Sequence, residues 1–151
     1  MTGSVVTLGR MRWWHVDSVL ELEERLFGDE PWTAYHFWSE LGQVQTRWYL
    51  VALQDEDVVG YAGLCDYPDE AFVQTLAVSP DYAGQGLGAR LLVALLEEAG
   101  RRGQRTISLE VRADNEVAQR LYTRHGFRRT AIRRGYYQPS GVDGWVMTRA
   151  V

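Results

Sequence analysis

Leu76-Ala77-Val78-Ser79-Pro80-Asp81-Tyr82-Ala83-Gly84-Gln85-Gly86-Leu87-Gly88-Ala89 is the segment on which the reading of this 151-residue chain turns. An apolar strand runs to Val78, Pro80 ends it, and three alternating glycines open a long amphipathic helix. Glycine lets the backbone approach a ligand closely, and the first turn of a helix carries N–H groups without intrahelical partners. The helix dipole adds partial positive charge at that end. Together these features suit a pyrophosphate or a similar anion.

Other glycine loops share this physics. A Walker loop needs a lysine, and the chain has none, because all 16 of its basic residues are arginine. The dinucleotide fingerprint is a nearer rival: Gly84-x-Gly86-x-x-Ala89 fits its loose form, and Glu110 lies near the end of the next strand. That fingerprint places its glycines directly after the strand, whereas Ser79 to Ala83 intervene here. Too little chain follows Glu110 for a second nucleotide-binding half. A glycine turn holding no ligand is the plain alternative.

Working outward, residues 5–10 carry a weak strand pattern. Ser18 with Glu21 resembles a capping box, and Val19, Leu22 and Leu26 are spaced for a helix that stops near Gly28. Pro31-Trp32-Thr33 leads into a short helix with Thr33 as N-cap and Phe37 and Leu41 on one face. Strands over 49–53 and 58–64 flank the turn Gln54-Asp55-Glu56-Asp57, and a third covers 71–78. Leu87, Leu91, Leu92, Leu95 and Ala99 trace one face of a helix over 87–102, which Gly103 stops. In the strand 106–112, Ile107, Leu109 and Val111 alternate with Ser108, Glu110 and Arg112. Asp114 is expected to cap a last helix that reaches His125 and stops at Gly126, and strands over 127–137 and 145–149 close the chain. The order β, α, α, β, β, β, α, β, α, β, β predicts an α/β fold: a mixed sheet with helices on its faces, in one domain over 1–151.

Composition narrows the function classes. A hydrophobic fraction of 46% with 24% charged residues reads as a globular protein. No apolar run approaches a membrane span and no secretory leader is evident, so a cytoplasmic location is the expectation. The net charge of -4 argues against a nucleic-acid surface. Cys65 stands alone between apolar neighbours and reads as a buried strand residue. His15, His36 and His125 lack metal-ligand spacing, so no metal site is expected.

On these motifs the chain resembles the GNAT superfamily of N-acetyltransferases over nearly its whole length. The superfamily loop reads [Gln/Arg]-x-x-Gly-x-[Gly/Ala]. Gly86 and Gly88 match its last two fixed positions, while Ala83 stands where Gln or Arg is usual. Within the superfamily the pattern is most similar to the bacterial ribosomal-protein alanine N-acetyltransferases. Carrying that likeness are Asp69-Glu70-Ala71, Leu76-Ala77-Val78, Leu109-Glu110-Val111-Arg112, Asn115, Leu121-Tyr122, Gly126-Phe127 and Arg134-x-Tyr136-Tyr137. Pro31-Trp32-Thr33 and the stretch from Asp143 to Met147 add to it, although Val142 replaces an acidic residue often found there.

The resemblance implies the superfamily fold, acetyl-coenzyme A as donor, and a protein N-terminus as acceptor, with an alanine-led ribosomal protein as the type substrate. It implies a cofactor site on the main chain of Leu76, Ala77 and Val78 and on Ala83, Gly84, Gln85, Gly86, Leu87, Gly88 and Ala89, with Asn115 and Tyr122 beside it. Glu110 matches the general base and Tyr122 the general acid for the leaving thiolate. Trp32, Tyr35, Glu110, Tyr136 and Tyr137 are candidates for the acceptor entrance; Trp32 reads equally well as core. An α-amine with a pKa of about 8 is roughly one-tenth neutral at ~pH 7, whereas a lysine amine near ~10.4 is neutral in under about 0.1%, so an N-terminal acceptor asks little of the base. A small-molecule amine as acceptor and a non-catalytic acyl-coenzyme A sensor are the alternatives.

Overall fold

The structure is a computed structural model and describes residues 5–28 and 31–151. The elements follow the order read from the sequence: β1 (Val6–Arg10), α1 (Val16–Leu26), α2 (Ala34–Leu41), β2 (Arg47–Gln54), β3 (Asp57–Asp66), β4 (Ala71–Val78), α3 (Leu87–Arg101), β5 (Thr106–Arg112), α4 (Glu116–Arg124), β6 (Arg128–Tyr137) and β7 (Val142–Ala150). The strands hydrogen-bond in the order β1-β2-β3-β4-β5-β7-β6. Ala71, Phe72 and Val73 of β4 pair in parallel with Ile107, Ser108 and Leu109 of β5, which makes the sheet mixed. The pairs β1/β2, β2/β3, β5/β7 and β6/β7 are antiparallel. Among the described residues no helix is long and apolar enough to cross a membrane.

Local chemistry explains where elements begin. Thr33 caps α2: its Oγ1 accepts the His36 N–H at 3.3 Å, and its own N–H donates to His36 Nδ1 at 3.0 Å. Two expected caps are corrected. Ser18 and Glu21 lie inside α1, because a 3-10 turn over Trp13–His15 starts the helical path earlier and the Arg12 N–H bonds to His15 Nδ1 at 2.9 Å. Asn115 rather than Asp114 caps α4: its Oδ1 accepts the Ala118 N–H at 3.1 Å, while Arg112 holds the Asp114 carboxylate through two bonds of 3.0 and 3.1 Å. β2, β3 and β7 also run beyond their apolar stretches, because ladder hydrogen bonds continue where the side-chain alternation has ended.

The chain divides into two compact units, Met1–Cys65 with Gln74–Leu95 and Asp66–Val73 with Leu96–Val151. In the first, Val16, Val19 and Leu22 of α1 and Phe37 of α2 bury against Tyr49, Val51, Tyr61 and Ala77. Each fully buried large side chain of this kind contributes about 1.5–3 kcal/mol. Cys65 is buried, as its setting suggested. Two carboxylates stand at this core and both are satisfied. Glu23 receives the Tyr61 hydroxyl on Oε1 and the Trp32 N–H on Oε2 at 2.9 Å. Glu40 Oε1 receives the Tyr49 hydroxyl at 2.7 Å and Arg47 Nε at 2.9 Å. Burial, reinforced by the neighbouring carboxylate, pushes both tyrosine hydroxyls far above their ordinary range.

In the second unit Ile107, Leu109, Val111, Tyr122, Phe127 and Met147 are buried. Ser108, the polar residue buried among them, shares a 2.9 Å hydrogen bond with Thr148. Arg102 ties Glu98 at 2.9 Å to Asp66 at 3.4 Å.

A glycine in β3 sets one limit on this packing. A Cβ added at Gly63 would overlap the buried ring of Tyr49, whereas one added at Gly9 meets no atom within 4 Å. Gly63→Ala is expected to lower unfolding free energy by about 1–3 kcal/mol. Gly9→Ala should stay within about 0.5 kcal/mol of the parent, with urea denaturation as the measurement.

Candidate active site

The first unit contributes the glycine loop. The Ser79 N–H bonds to the Val59 carbonyl at 2.8 Å, so the end of β4 is tied to β3. Pro80–Tyr82 form a 3-10 turn that was not foreseen; the Ser79 hydroxyl accepts from the Asp81 N–H at 3.4 Å, and Ala83 N–H reaches the Pro80 carbonyl at 3.2 Å. Arg25 of α1 grips the Asp81 carboxylate with two contacts of 3.3 Å. Gly84 and Gly86 then take φ of 77° and 76°, the left-handed region where a side chain is strained. A Cβ at either would meet nothing within 4 Å, so the space over the loop is open. Ala83, Gly84, Gln85 and Gly86 are exposed, and buried Leu87 anchors the first turn of α3. The Gly86 carbonyl accepts the Arg90 N–H at 3.1 Å, which leaves the N–H groups of Leu87, Gly88 and Ala89 in the turn that has no intrahelical acceptors. Leu76 and Val78 are half-buried and Ala77 is buried.

The acceptor candidates of this unit part company. Trp32 is half-buried, with its ring 5.0 Å from Phe37 and 6.4 Å from Tyr49 and its N–H on Glu23, so it belongs with the core. Tyr35, on the first turn of α2, is 74% exposed. A cavity of about 410 Å³ also opens in this unit among Met11, Arg12, Trp13, Trp38, Leu41 and Tyr49. None of the candidate site residues read from the sequence lines it.

The second unit gathers the titratable candidates. Glu110 sits on β5 opposite Val146, with a side chain only 16% exposed. Its Oε2 is buried and has no hydrogen-bond partner among the described residues. Arg133 of β6 places Nε 3.5 Å from that oxygen, and its guanidinium stacks 5.5 Å over the Tyr136 ring. Tyr136 and Tyr137 meet edge to face at 5.1 Å, and Arg112 lies 5.3 Å over Tyr137. Asp143 fixes the β6–β7 hairpin beneath them by accepting the Gly135 N–H at 2.8 Å and Arg134 Nη1 at 3.3 Å.

These neighbours change one another's chemistry. Burial, then the hydrogen bond and charge of Glu110, raise the Tyr136 hydroxyl, with Arg133 opposing. Burial, followed by the Glu110 charge, pushes Tyr137 up to about 12. Tyr122 of α4, buried and edge-on to Phe127 at 5.9 Å, is pushed up to about 12 by burial and by Tyr137. Asn115 is occupied at Oδ1 by its capping bond, which leaves its amide group for any ligand. Glu110, Tyr122, Tyr136 and Tyr137 therefore form one electrostatic cluster. Arg112 and Arg133 belong to it too, and alternation along a single strand gave no signal for Arg133.

The family model described as the Acetyltransferase (GNAT) family matches residues 12–127. The chain is 41% identical over 149 residues to the N-alpha-acetyltransferase RimI of Mycobacterium tuberculosis, covering 95% of this chain and 92% of that protein. It is also 41% identical over 149 residues to an uncharacterized Mycobacterium leprae protein, of whose length it spans only 40%. The crystal structure of the ribosomal-protein-S18-alanine N-acetyltransferase from Escherichia coli matches with a TM-score of 0.87 at 32% identity, covering 97% of this chain and 94% of that one.

The raised phenols can be read directly. Each has a folded pKa above its unfolded value, so the stabilisation it reports is present below the unfolded pKa and is lost as pH rises toward about 12. In a spectrophotometric titration, Tyr122→Phe and Tyr137→Phe should each remove phenolate signal that develops above ~pH 11, later than an ordinary tyrosine near ~10. Loss of signal near the ordinary value would contradict the buried cluster.

Proposed function

The chain belongs to the GNAT family of acetyltransferases, and from that premise we propose that it acetylates the N-terminal α-amine of a protein, foremost a ribosomal protein that begins with alanine. As a GNAT enzyme it uses acetyl-coenzyme A, which supplies the acetyl group as a thioester. The names carried by the Mycobacterium tuberculosis and Escherichia coli relatives support the α-amine and the alanine-led acceptor. The observation that carries the chemistry is the Glu110 oxygen held without a hydrogen bond beside the raised phenols of Tyr136 and Tyr137.

The residues present fit the donor. Gly84 and Gly86 hold the loop open where a side chain would strain it, and the first-turn N–H groups of Leu87, Gly88 and Ala89 suit phosphate oxygens. Ala83 takes an extended conformation (φ -61°, ψ 145°) and adds only main chain, so the loop holds an anion through its backbone. The main chain of Leu76, Ala77 and Val78 and the amide of Asn115 serve the pantetheine arm. In this reading both compact units are parts of one catalytic domain.

Glu110 accepts the proton that the amine gives up. Because an α-amine is already about one-tenth neutral at ~pH 7, a carboxylate acting directly or through water suffices. Tyr122, pushed up to about 12, stays protonated at neutral pH and donates a hydrogen bond to sulfur as negative charge develops there. Complete transfer of its proton to a thiolate with pKa near ~8.5 runs uphill by about 3.5 pKa units, or about 5 kcal/mol. Tyr122 therefore acts by donating a hydrogen bond to the developing charge more than as a free proton source. Tyr136 and Tyr137 supply aromatic surface for the first residues of the acceptor, and Tyr35 is a candidate on the family likeness alone.

Steady-state transfer to short peptides that differ only in their first residue tests this reading. Alanine-led peptides should turn over, with Glu110→Gln lowering kcat/KM by about 10²-fold or more. Tyr122→Phe should lower kcat by about 10²-fold while acetyl-coenzyme A still binds. Acetylation of small amines but of no peptide would replace the acceptor. Donor binding without turnover of any amine would leave a sensor.

A further inference from the structure

Glu110 Oε2 is the one buried side-chain nitrogen or oxygen, among the described residues, without a hydrogen-bond partner. Such an atom carries a desolvation cost that a folded protein ordinarily avoids. Its nearest cation, Arg133, stands at 3.5 Å, too long for a good charge-assisted hydrogen bond, which closes to about 2.7–2.9 Å. The guanidinium is held by the Tyr136 ring beneath it rather than by a two-pronged grip on the carboxylate. It thus stabilises the negative charge at Glu110 without filling the oxygen's lone pairs.

We propose that Arg133 is a positioning residue that aims the Glu110 carboxylate, leaves Oε2 to accept a hydrogen bond from the acceptor amine, and by its own charge favours amines that arrive neutral. The inference rests on the acetyltransferase reading of the site and names what selects its acceptor. Guanidinium stays charged throughout the working pH range, and it stands 3.5 Å from Glu110 Oε2. The same positive charge repels an incoming ammonium but not a neutral amine. An α-amine meets that condition about a hundredfold more often than a lysine side chain does at ~pH 7.

The groups around Glu110 are consistent with Arg133 as its controlling charge. β6 presents Arg133, Tyr136 and Tyr137; the two phenols are raised and neutral at working pH. On β5 and just after it, Arg112 is engaged with Asp114 and the Tyr137 ring. α4 presents Tyr122, also neutral. β7 places Val146 opposite Glu110, and its Asp143 is engaged by Arg134 and Gly135. Arg133 itself is 54% exposed, so its effect is screened and moderate in size.

The test is kcat/KM against pH for the parent, Arg133→Gln, Arg133→Met and Arg133→Lys. It uses an alanine-led peptide and an N-terminally blocked peptide with one lysine, and acetyl-coenzyme A affinity is measured alongside. The acidic limb of kcat/KM should move up by about half to one pH unit in Arg133→Gln and Arg133→Met, which remove the positive charge beside the carboxylate. Arg133→Lys should hold the limb in place. The preference for the α-amine over lysine should fall by at least about threefold in the two neutral variants, with the affinity for acetyl-coenzyme A unchanged. A uniform drop in kcat/KM at every pH, with the limb and the amine preference unmoved, would reduce Arg133 to a structural part and overturn the proposal. No turnover of either peptide by the parent would instead remove the reading of the site, and this inference with it.

Discussion

Burying half of a carboxylate without giving it a hydrogen bond costs about 1–3 kcal/mol, and the second compact unit is arranged so that Glu110 bears this at Oε2. The backbone of β5 fixes where the side chain starts, through pairing with β7 at Val146. β6 then brings one cation and two phenols against it, and Asp143 holds the hairpin from which those groups extend. On the proposed reading, each arrangement keeps one carboxylate oxygen open to the acceptor. The raised phenols of Tyr136 and Tyr137 follow first from their burial, and the neighbouring Glu110 carboxylate adds to it.

The first unit shows what a carboxylate looks like when its purpose is packing. Glu23 is nearly inaccessible, yet both of its oxygens are taken, one by the Tyr61 hydroxyl and one by the Trp32 N–H. Glu40 shares Tyr49 and Arg47 in the same way. These two tie α1 and α2 to the strands below them. Glu110 differs in this one respect, and on the proposed reading that is what sets a chemical acid apart from a structural one. The glycine loop obeys an analogous constraint: Gly84 and Gly86 adopt backbone angles that side chains resist, with no crowding to require small residues.

Much of the fold was legible because hydrophobic period and turn chemistry agreed. Leu87, Leu91, Leu92 and Leu95 repeat at helical spacing and are all buried, and β4 and β5 begin and end where their alternation does. Caps were less legible, since Ser18 and Asp114 have the right chemistry at positions where a neighbour satisfied the helix first. His15 acts on the Arg12 N–H before Ser18 is reached, and Asn115 on the Ala118 N–H after Asp114 is passed. Glu110, Tyr122, Tyr136 and Tyr137 came from motif likeness, and the structure brings those four into one cluster. Arg133 was not legible: it lies among four arginines in Arg128 to Arg134, and only the pairing of β6 with β7 selects the one that reaches Glu110. Trp32 was open between core and entrance because an aromatic after a proline serves either; its contacts with Phe37 and Tyr49 settle its packing.

The central claim is that this chain moves acetyl onto an α-amine and not onto a side chain. A single peptide with a free N-terminal alanine and one internal lysine, incubated with the protein and acetyl-coenzyme A, puts both amines before the same site. Mass spectrometric fragmentation then locates the label. One acetyl group, on the alanine nitrogen, is the expected result. Label on the lysine, or a peptide left unmodified while the protein acetylates a small amine, would contradict it.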